Sequence, residues 1–397
     1  MGKHRFNTGD AATTPSGLLA GIRVVELGGI GPAPFGAMLL ADHGADVIRL
    51  DPPASRGLAN PATLLRNRRS VAVDLKRPEG VAVALRLIGS ADAVVEGFRP
   101  GVAERLGLGP DQCLAHNPRL VYARMTGWGQ DGPLSEEVGH DIDYIAVAGA
   151  LGAIGPAGGD PVVPLNLIAD MGGGGMLLAL GLTSALLNAA RTGRGQVVDA
   201  AMVDGTALQL GPVLELISRG AWREERGTNL LDGGAPYYRT YRCADGGHLA
   251  VGAVEPEFYA NLLDVLGLAE DPLFAAQHDR AAWPAMAERI AAVLAARTRD
   301  EWTARFAGRG ACTAPVLTLT EATSHPHNAA RGTYIDVAGR CQPAPAPRYR
   351  DAPAPPVRPA PGLGTHTAEV LAEVGYEPDE ITRLHSGEIV LTTPPEC

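Results

Sequence analysis

The sequence predicts an α/β protein built on a mostly parallel, Rossmann-like sheet with helices on both faces. Three observations carry this. Short β-branched runs alternate with stretches of helical spacing, starting at Ile22-Arg23-Val24-Val25-Glu26-Leu27, which is the pattern of repeated βαβ units. The runs end in turns that bear glycine or arginine, the positions where ligands sit in such sheets. The chain has 397 residues, 46% of them hydrophobic, enough for a large core and, by length, for a second and smaller α/β domain.

The elements follow in order. Gly28-Gly29-Ile30-Gly31-Pro32 breaks the first strand, Phe35 to Asp42 has helical spacing, and Asp46 to Asp51 makes a second strand. With Asp51 about 20 residues past the glycines, this approaches a dinucleotide fingerprint. Pro34 stands where the third glycine belongs, so the unit reads as Rossmann-like without a nicotinamide cofactor. Leu65-Arg66-Asn67-Arg68-Arg69 opens a strand that ends in Asp74-Leu75-Lys76. This cluster is either a solvated face or a phosphate contact. Further strands are expected at Ala91–Glu96, Leu120–Met125 and Val197–Met202, and helix from there to about Arg219. Arg226 to Ala235 reads as a crossing between domains. Tyr237–Cys243 and His248–Ala253 read as a hairpin, followed by helical patterns at Phe258–Leu266 and Trp283–Ala295 and a strand near Ala314–Leu319. Pro343 to Pro361 reads as a semi-extended linker before short helices at Thr365–Val374 and Pro378–Leu384.

The totals narrow the function. A net charge of −10 argues against a nucleic-acid partner. Apolar runs stay short of the ~20 residues of a membrane span; Met176 to Ala189, the longest, is interrupted by glycine. Five scattered cysteines (Cys113, Cys243, Cys312, Cys341, Cys397) show no metal spacing and suggest a reducing, cytoplasmic setting. Met1 to Ser16 is polar, with no apolar signal region, and Pro-Pro-Glu-Cys matches no prenylation or peroxisomal signal.

Chemistry concentrates at three places. Asp170 ends the apolar run Leu165-Asn166-Leu167-Ile168-Ala169-Asp170 and precedes Met171 and four consecutive glycines, Gly172 to Gly175. An acid in such surroundings needs hydrogen bonds or a shifted pKa. The glycines read as a turn that lets a ligand reach backbone N–H groups. His140, after Gly139, opens an apparently helical segment. It is either a satisfied structural residue or a general acid/base, a role an imidazole suits near neutrality. Glu255 precedes Pro256 at a strand-to-helix corner, where a surface acid gains at most about 1 kcal/mol from the helix terminus.

Four motifs carry a resemblance: Gly139-His140-Asp141-Ile142-Asp143-Tyr144, Leu165 to Asp170 before the glycines, Asn229-Leu230-Leu231-Asp232-Gly233-Gly234-Ala235-Pro236-Tyr237-Tyr238, and Val251-Gly252-Ala253-Val254-Glu255-Pro256. In this order they strongly resemble the α-methylacyl-CoA racemases of the family III CoA-transferase superfamily, from about Gly21 to about Gly332. The resemblance implies a tail over 1–16, a large domain over 17–200, a linker helix and crossing over 201–228, a small α/β domain over 229–330, and a return segment over 331–397 that completes the large domain. It also implies an interlocked homodimer acting on acyl-CoA thioesters with no cofactor or metal. The implied reaction interconverts (R)- and (S)-2-methylacyl-CoA by 1,1-proton transfer through an enolate. By matching positions, His140 and Asp170 would be the acid/base pair, and Glu255 of the partner would orient His140. Ile30, Val73, Leu75, Lys76, Arg99, Arg105, Gly139, Asp141 and Tyr144 would contact CoA.

One departure stands out. Such proteins often carry arginine after the aspartate that ends the second strand, at the CoA phosphate end. Pro52 follows Asp51 here, which leaves Arg66 or Arg68 as substitutes. A CoA-transferase with Asp170 as nucleophile is the alternative activity, since a carboxylate in such a setting can also attack a carbonyl.

Overall fold

The computed structural model describes residues 17–55 and 61–393, so the expected tail over 1–16 and Cys397 lie outside the described residues. Among these, six parallel strands form the main sheet: β1 (Arg23–Leu27), β2 (Asp46–Asp51), β3 (Arg68–Val73), β4 (Ala93–Glu96), β5 (Val121–Thr126) and β6 (Gln196–Ala201). Their spatial order is 3-2-1-4-5-6, the doubly wound arrangement, whose direction of winding reverses between β1 and β4. Strands β3, β4 and β5 are buried along their whole length, as parallel strands covered on both faces must be. The expected α/β class is therefore borne out.

Pro32 and Pro34 do not interrupt the first crossover. The helix Pro32–Asp42 starts on them, because the first N–H groups of a helix have no helical acceptor to lose. The expected helix from Met202 to Arg219 is two helices, Met202–Gln209 and Gly211–Ser218; Pro212 is accepted at the start of the second but not inside a single long one.

The glycine segment departs most from expectation. Gly172–Gly175 are not a turn: Leu167–Met176 is a π-helix that runs directly into the α-helix Leu177–Thr192. In a π-helix the N–H of residue i+5 bonds the carbonyl of residue i, so these glycine N–H groups serve the helix. The glycines answer to packing instead. A Cβ on Gly175 would lie 2.9 Å from Pro32 O and one on Gly174 2.9 Å from the Met202 side chain. On the facing helix, a Cβ on Gly205 would meet Gly173 O at 1.9 Å. Gly205→Ala is accordingly expected to lower stability by about 1–3 kcal/mol and to disturb the Asp170 segment, read as a lower urea midpoint.

Leu167–Thr192 is also long and apolar enough, by length and composition, to cross a membrane, which the glycine-interrupted reading missed. Leu178, Leu182, Ala185, Leu186 and Ala189 are buried, and the helix packs on β5, β6 and Pro32–Asp42. Met176, Leu180 and Leu187 remain exposed along it.

The chain divides into two units, Met1–Tyr144 with Asn166–Thr206 and Tyr334–Cys397, and Ile145–Leu165 with Ala207–Thr333. In the second, β7 (Tyr238–Arg242), β8 (His248–Gly252) and β9 (Thr313–Val316) form an antiparallel sheet. Helices Pro256–Leu266, Trp283–Leu294 and Arg299–Phe306 share its core, with Tyr241, Leu249, Leu262, Met286, Ile290 and Trp302 all buried.

The return to the first unit brings a hairpin that the sequence did not announce, β10 (Tyr334–Val337) with β11 (Arg340–Pro343), and then a short strand, β12 (Val390–Leu391), antiparallel to β3. The proline-rich stretch is anchored where Asn67 N–H donates to Arg358 O and Arg358 N–H to Asn67 Oδ1.

Candidate active site

Beyond the carboxyl ends of β1 to β4 lies a cavity of about 800 Å³ lined by residues of the first unit alone. Ile30 comes from the loop after β1, Leu75 and Lys76 from the turn after β3, and Phe98 from the turn after β4. A neighbouring cavity of about 500 Å³ shares Phe98 and Val102 and is lined by Arg99 and Arg105. The fold thus gathers Ile30, Leu75, Lys76, Arg99 and Arg105 around two adjoining spaces. Val73 is fully buried, paired with Val390 of the neighbouring strand, and lines neither space.

The basic cluster is neither a solvated face nor a phosphate site. Arg66 is 1% exposed and bonds Asp42, Gln342 and the Pro343 carbonyl. Arg68 bonds Glu26 and the carbonyls of Arg66 and Pro34. Arg69 bonds Asp46, Glu369 and Glu373. Burial of a guanidinium demands such pairing, and the pairing removes Arg66 and Arg68 as substitutes for the missing arginine. Asp51 is likewise engaged, accepting two hydrogen bonds from Arg49. Among the described residues Lys76 is the lining cation of the large cavity whose side chain has no hydrogen bond or ion pair.

His140 sits immediately before the helix Asp141–Val147. Its N–H donates to Asp143 Oδ2 at 2.9 Å, and its carbonyl accepts from Asp143 N–H at 2.8 Å. The backbone is thereby fixed, and the imidazole side is exposed. The Tyr144 ring packs edge-on against Trp128 at 4.8 Å, its hydroxyl donating to Gly139 O. Burial, then the charges of Asp170 and Asp143, push the Tyr144 phenol up to about 12, so it stays protonated. Gly139 and Tyr144 therefore shape the wall beside His140.

Asp170 is half-buried, in the first turns of the π-helix. Its Oδ2 accepts from Asn166 Nδ2 at 3.0 Å, and a Cβ on Gly31 would lie 3.6 Å from that oxygen. Burial raises the Asp170 carboxyl above the ordinary aspartate value. The Asn166 bond lowers it, the Asp141 charge adds to the rise, and His140 opposes it. Asn166 is the functional neighbour that sequence reasoning missed; its place four residues before Asp170, on the same helical face, was the available signal.

Asp141 is 4% exposed. Its Oδ2 accepts the N–H groups of Ala169 and Asp170, each at 2.8 Å, while its Oδ1 is buried without a partner. In the second unit, Glu255 is exposed and directly precedes the helix that begins at Pro256, as the strand-to-helix reading expected. Its side chain makes no capping hydrogen bond. Among the described residues no group of three or more His, Cys, Asp or Glu is placed to hold a metal ion.

Fold and site define an α/β protein with a cavity at the strand ends, and with Asp170 set against Gly31, the residue after the lining Ile30. The chain belongs to CoA-transferase family III: residues 19–367 match that family's model. It is 48% identical over 375 residues to the alpha-methylacyl-CoA racemase of Mus musculus, covering 94% of this chain and 97% of that protein. It is 46% identical over 374 residues to the Homo sapiens protein of the same name, with the same coverage of 94% and 97%. The crystal structure of a CaiB/BaiF family protein from Brucella suis superposes with a TM-score of 0.79 at 27% identity, covering 90% of this chain and all of that one.

Proposed function

We propose that this protein is a racemase of 2-methylacyl-CoA thioesters, with His140 and Asp170 as the two proton carriers. The observation that carries the reading is their convergence. His140 precedes one helix start, Asp170 lies in another, and the two lie close enough for His140 to pull the Asp170 carboxyl downward. The relatives named above are racemases of this substrate class.

Racemisation at a carbon α to a thioester needs a base on one face and an acid on the other, with roles exchanged for the opposite enantiomer. The base removes the α-proton, the C–H electron pair moves into an enolate, and the other group returns a proton to the opposite face. The glycine N–H groups are engaged in the π-helix, so the enolate oxygen must be met elsewhere. The first N–H groups of the Asp141–Val147 helix, at Asp141 and Ile142, have no acceptor within it; each donor of this kind contributes about 2.7–4 kcal/mol.

The CoA arm takes the large cavity. Ile30, Leu75 and Lys76 contact it, Arg99 and Arg105 meet its phosphates, and the orphan Asp141 Oδ1 accepts one of its amide N–H groups. No further cofactor is needed, because the thioester itself makes the α-proton removable. Glu255, supplied by the partner of an interlocked homodimer, orients His140. The exposed apolar stripe of Met176, Leu180 and Leu187 supports a second copy as its cover. The setting is cytoplasmic, with no membrane or nucleic acid involved.

Incubation with a single enantiomer in D2O should yield both enantiomers with deuterium at the α-carbon; absence of exchange sinks the reading. Membership of CoA-transferase family III supports one rival, a CoA-transferase, in which Asp170 would act as nucleophile and form an aspartyl-CoA thioester. Hydroxylamine during turnover would then trap Asp170 as a hydroxamate, and on the racemase reading it should trap nothing.

A further inference from the structure

We propose that Asp141 is a positioning residue that holds the two proton carriers in register and sets the charge beside one of them. The proposal rests on the racemase reading and deepens it. Asp141 is joined covalently to His140, and its Oδ2 grips the peptide N–H of Asp170 and that of Ala169 at 2.8 Å. One buried side chain therefore ties the turn that presents the imidazole to the turn that presents the carboxylate.

The choice of residue is informative. The two N–H groups lie in the opening turn of the π-helix and have no helical acceptor. A neutral Ser or Asn would satisfy them as a cap. A carboxylate is used instead, at 4% exposure and with Oδ1 left without a partner among the described residues. That arrangement is unfavourable for stability alone. Besides an acceptor it supplies negative charge beside Asp170, which adds to the rise that burial gives that proton-exchanging carboxyl.

Other elements packed on the π-helix do not supply that charge. Asp42, on Pro32–Asp42, is tied to Arg66 and Asn67. Arg124 on β5 is paired with Glu96 and Glu104, and Asp199 on β6 accepts from Gln130 N–H. The protonated Tyr144 donates to Gly139 O. His140 and the Asn166 amide are the groups that pull the carboxyl the other way.

The test is a carboxyl-carbon NMR titration of Asp170 in the full-length protein, with kcat and KM measured alongside. In Asp141→Asn, which keeps the shape and removes the charge, the Asp170 midpoint should move to lower pH. In Asp141→Glu, which keeps the charge on a longer arm, the midpoint should stay near wild type while kcat falls. Asp141→Ala should lose about 10²-fold in kcat and should also raise KM, because Oδ1 is the acceptor offered to the CoA arm. An unshifted Asp170 midpoint in folded Asp141→Asn, or wild-type kcat in Asp141→Ala, overturns the proposal. If Asp141→Ala does not fold, the asparagine variant carries the test. The titration reads Asp170 without turnover, so a failure of α-proton exchange in the wild type counts against the racemase reading and leaves this result distinct.

Discussion

Asp170→Asn should stop racemisation while leaving half of the exchange chemistry in place. Asparagine keeps the size of the side chain and can hold the contact with Asn166, but it cannot carry a proton. Loss of one acid/base partner is expected to lower kcat for racemisation by about 10²–10⁴-fold, with KM little changed. In D2O the variant should still wash deuterium into the enantiomer whose α-proton faces His140, with retention, and should leave the other enantiomer unlabelled. His140→Ala should show the mirror pattern. This directional loss is what separates proton transfer from a collapsed site, which would lose both exchanges together. In the wild type, the direction in which Asp170 is the base should also lose rate as pH falls through its carboxyl midpoint. Burial and Asp141 raise that midpoint, so the loss should begin above the ordinary aspartate range. Near-wild-type racemisation in Asp170→Asn would remove it from the mechanism.

What was legible in the sequence was local. The strands and their order of appearance followed from β-branched runs and the turns that end them. His140, Asp170 and Glu255 stood out because each is a chemical side chain at a break in a pattern. The misreadings share a cause, which is that the deciding contact is distant in sequence. Arg66 finds Asp42 across 24 positions and Arg69 finds Glu373 across 304, so a buried ion-pair network looks in one dimension like a basic patch. Four glycines argue against a helix by intrinsic propensity. They are helical here because Pro32–Asp42 and the Gly205 turn approach too closely for a Cβ, and tertiary closeness overrides propensity. The two-residue strand β12 carries too short a pattern to announce itself, and it is placed by pairing with β3. The motif drew attention to Asp141, but its grip on the Asp170 peptide was not legible, because 29 residues separate them.

Glu26→Ala should be the most destabilising single change in the parallel sheet, and it should reach the active site as well. Glu26 lies on β1, fully buried, directly opposite Arg49 of β2. It bonds Arg49 at 2.6 Å through Oε1 and Arg68 of β3 at 3.1 Å through Oε2. Both guanidiniums are themselves buried, at 4% and 3% exposure. Removing the carboxylate leaves two cations in the core with only part of their pairing, since Arg49 keeps Asp51 and Arg68 keeps two carbonyls. Breaking a buried pair from one side costs about 3–5 kcal/mol, a large share of the total stability of a typical protein. Arg49 also donates to the carbonyls of Gly28 and Gly29. Those residues lead to Ile30, on the cavity wall, and to Gly31, against which Asp170 sits. A variant that survives folding should therefore show a raised KM for the acyl-CoA together with the lowered denaturant midpoint. Replacing Glu26 and both arginines by apolar residues of similar volume should recover much of the midpoint, because the cost lies in the unpaired charge, but it should not recover KM, because the Gly28–Gly29 carbonyls would have lost their donor. An unchanged midpoint for Glu26→Ala would show that water reaches this network and that the sheet does not depend on it.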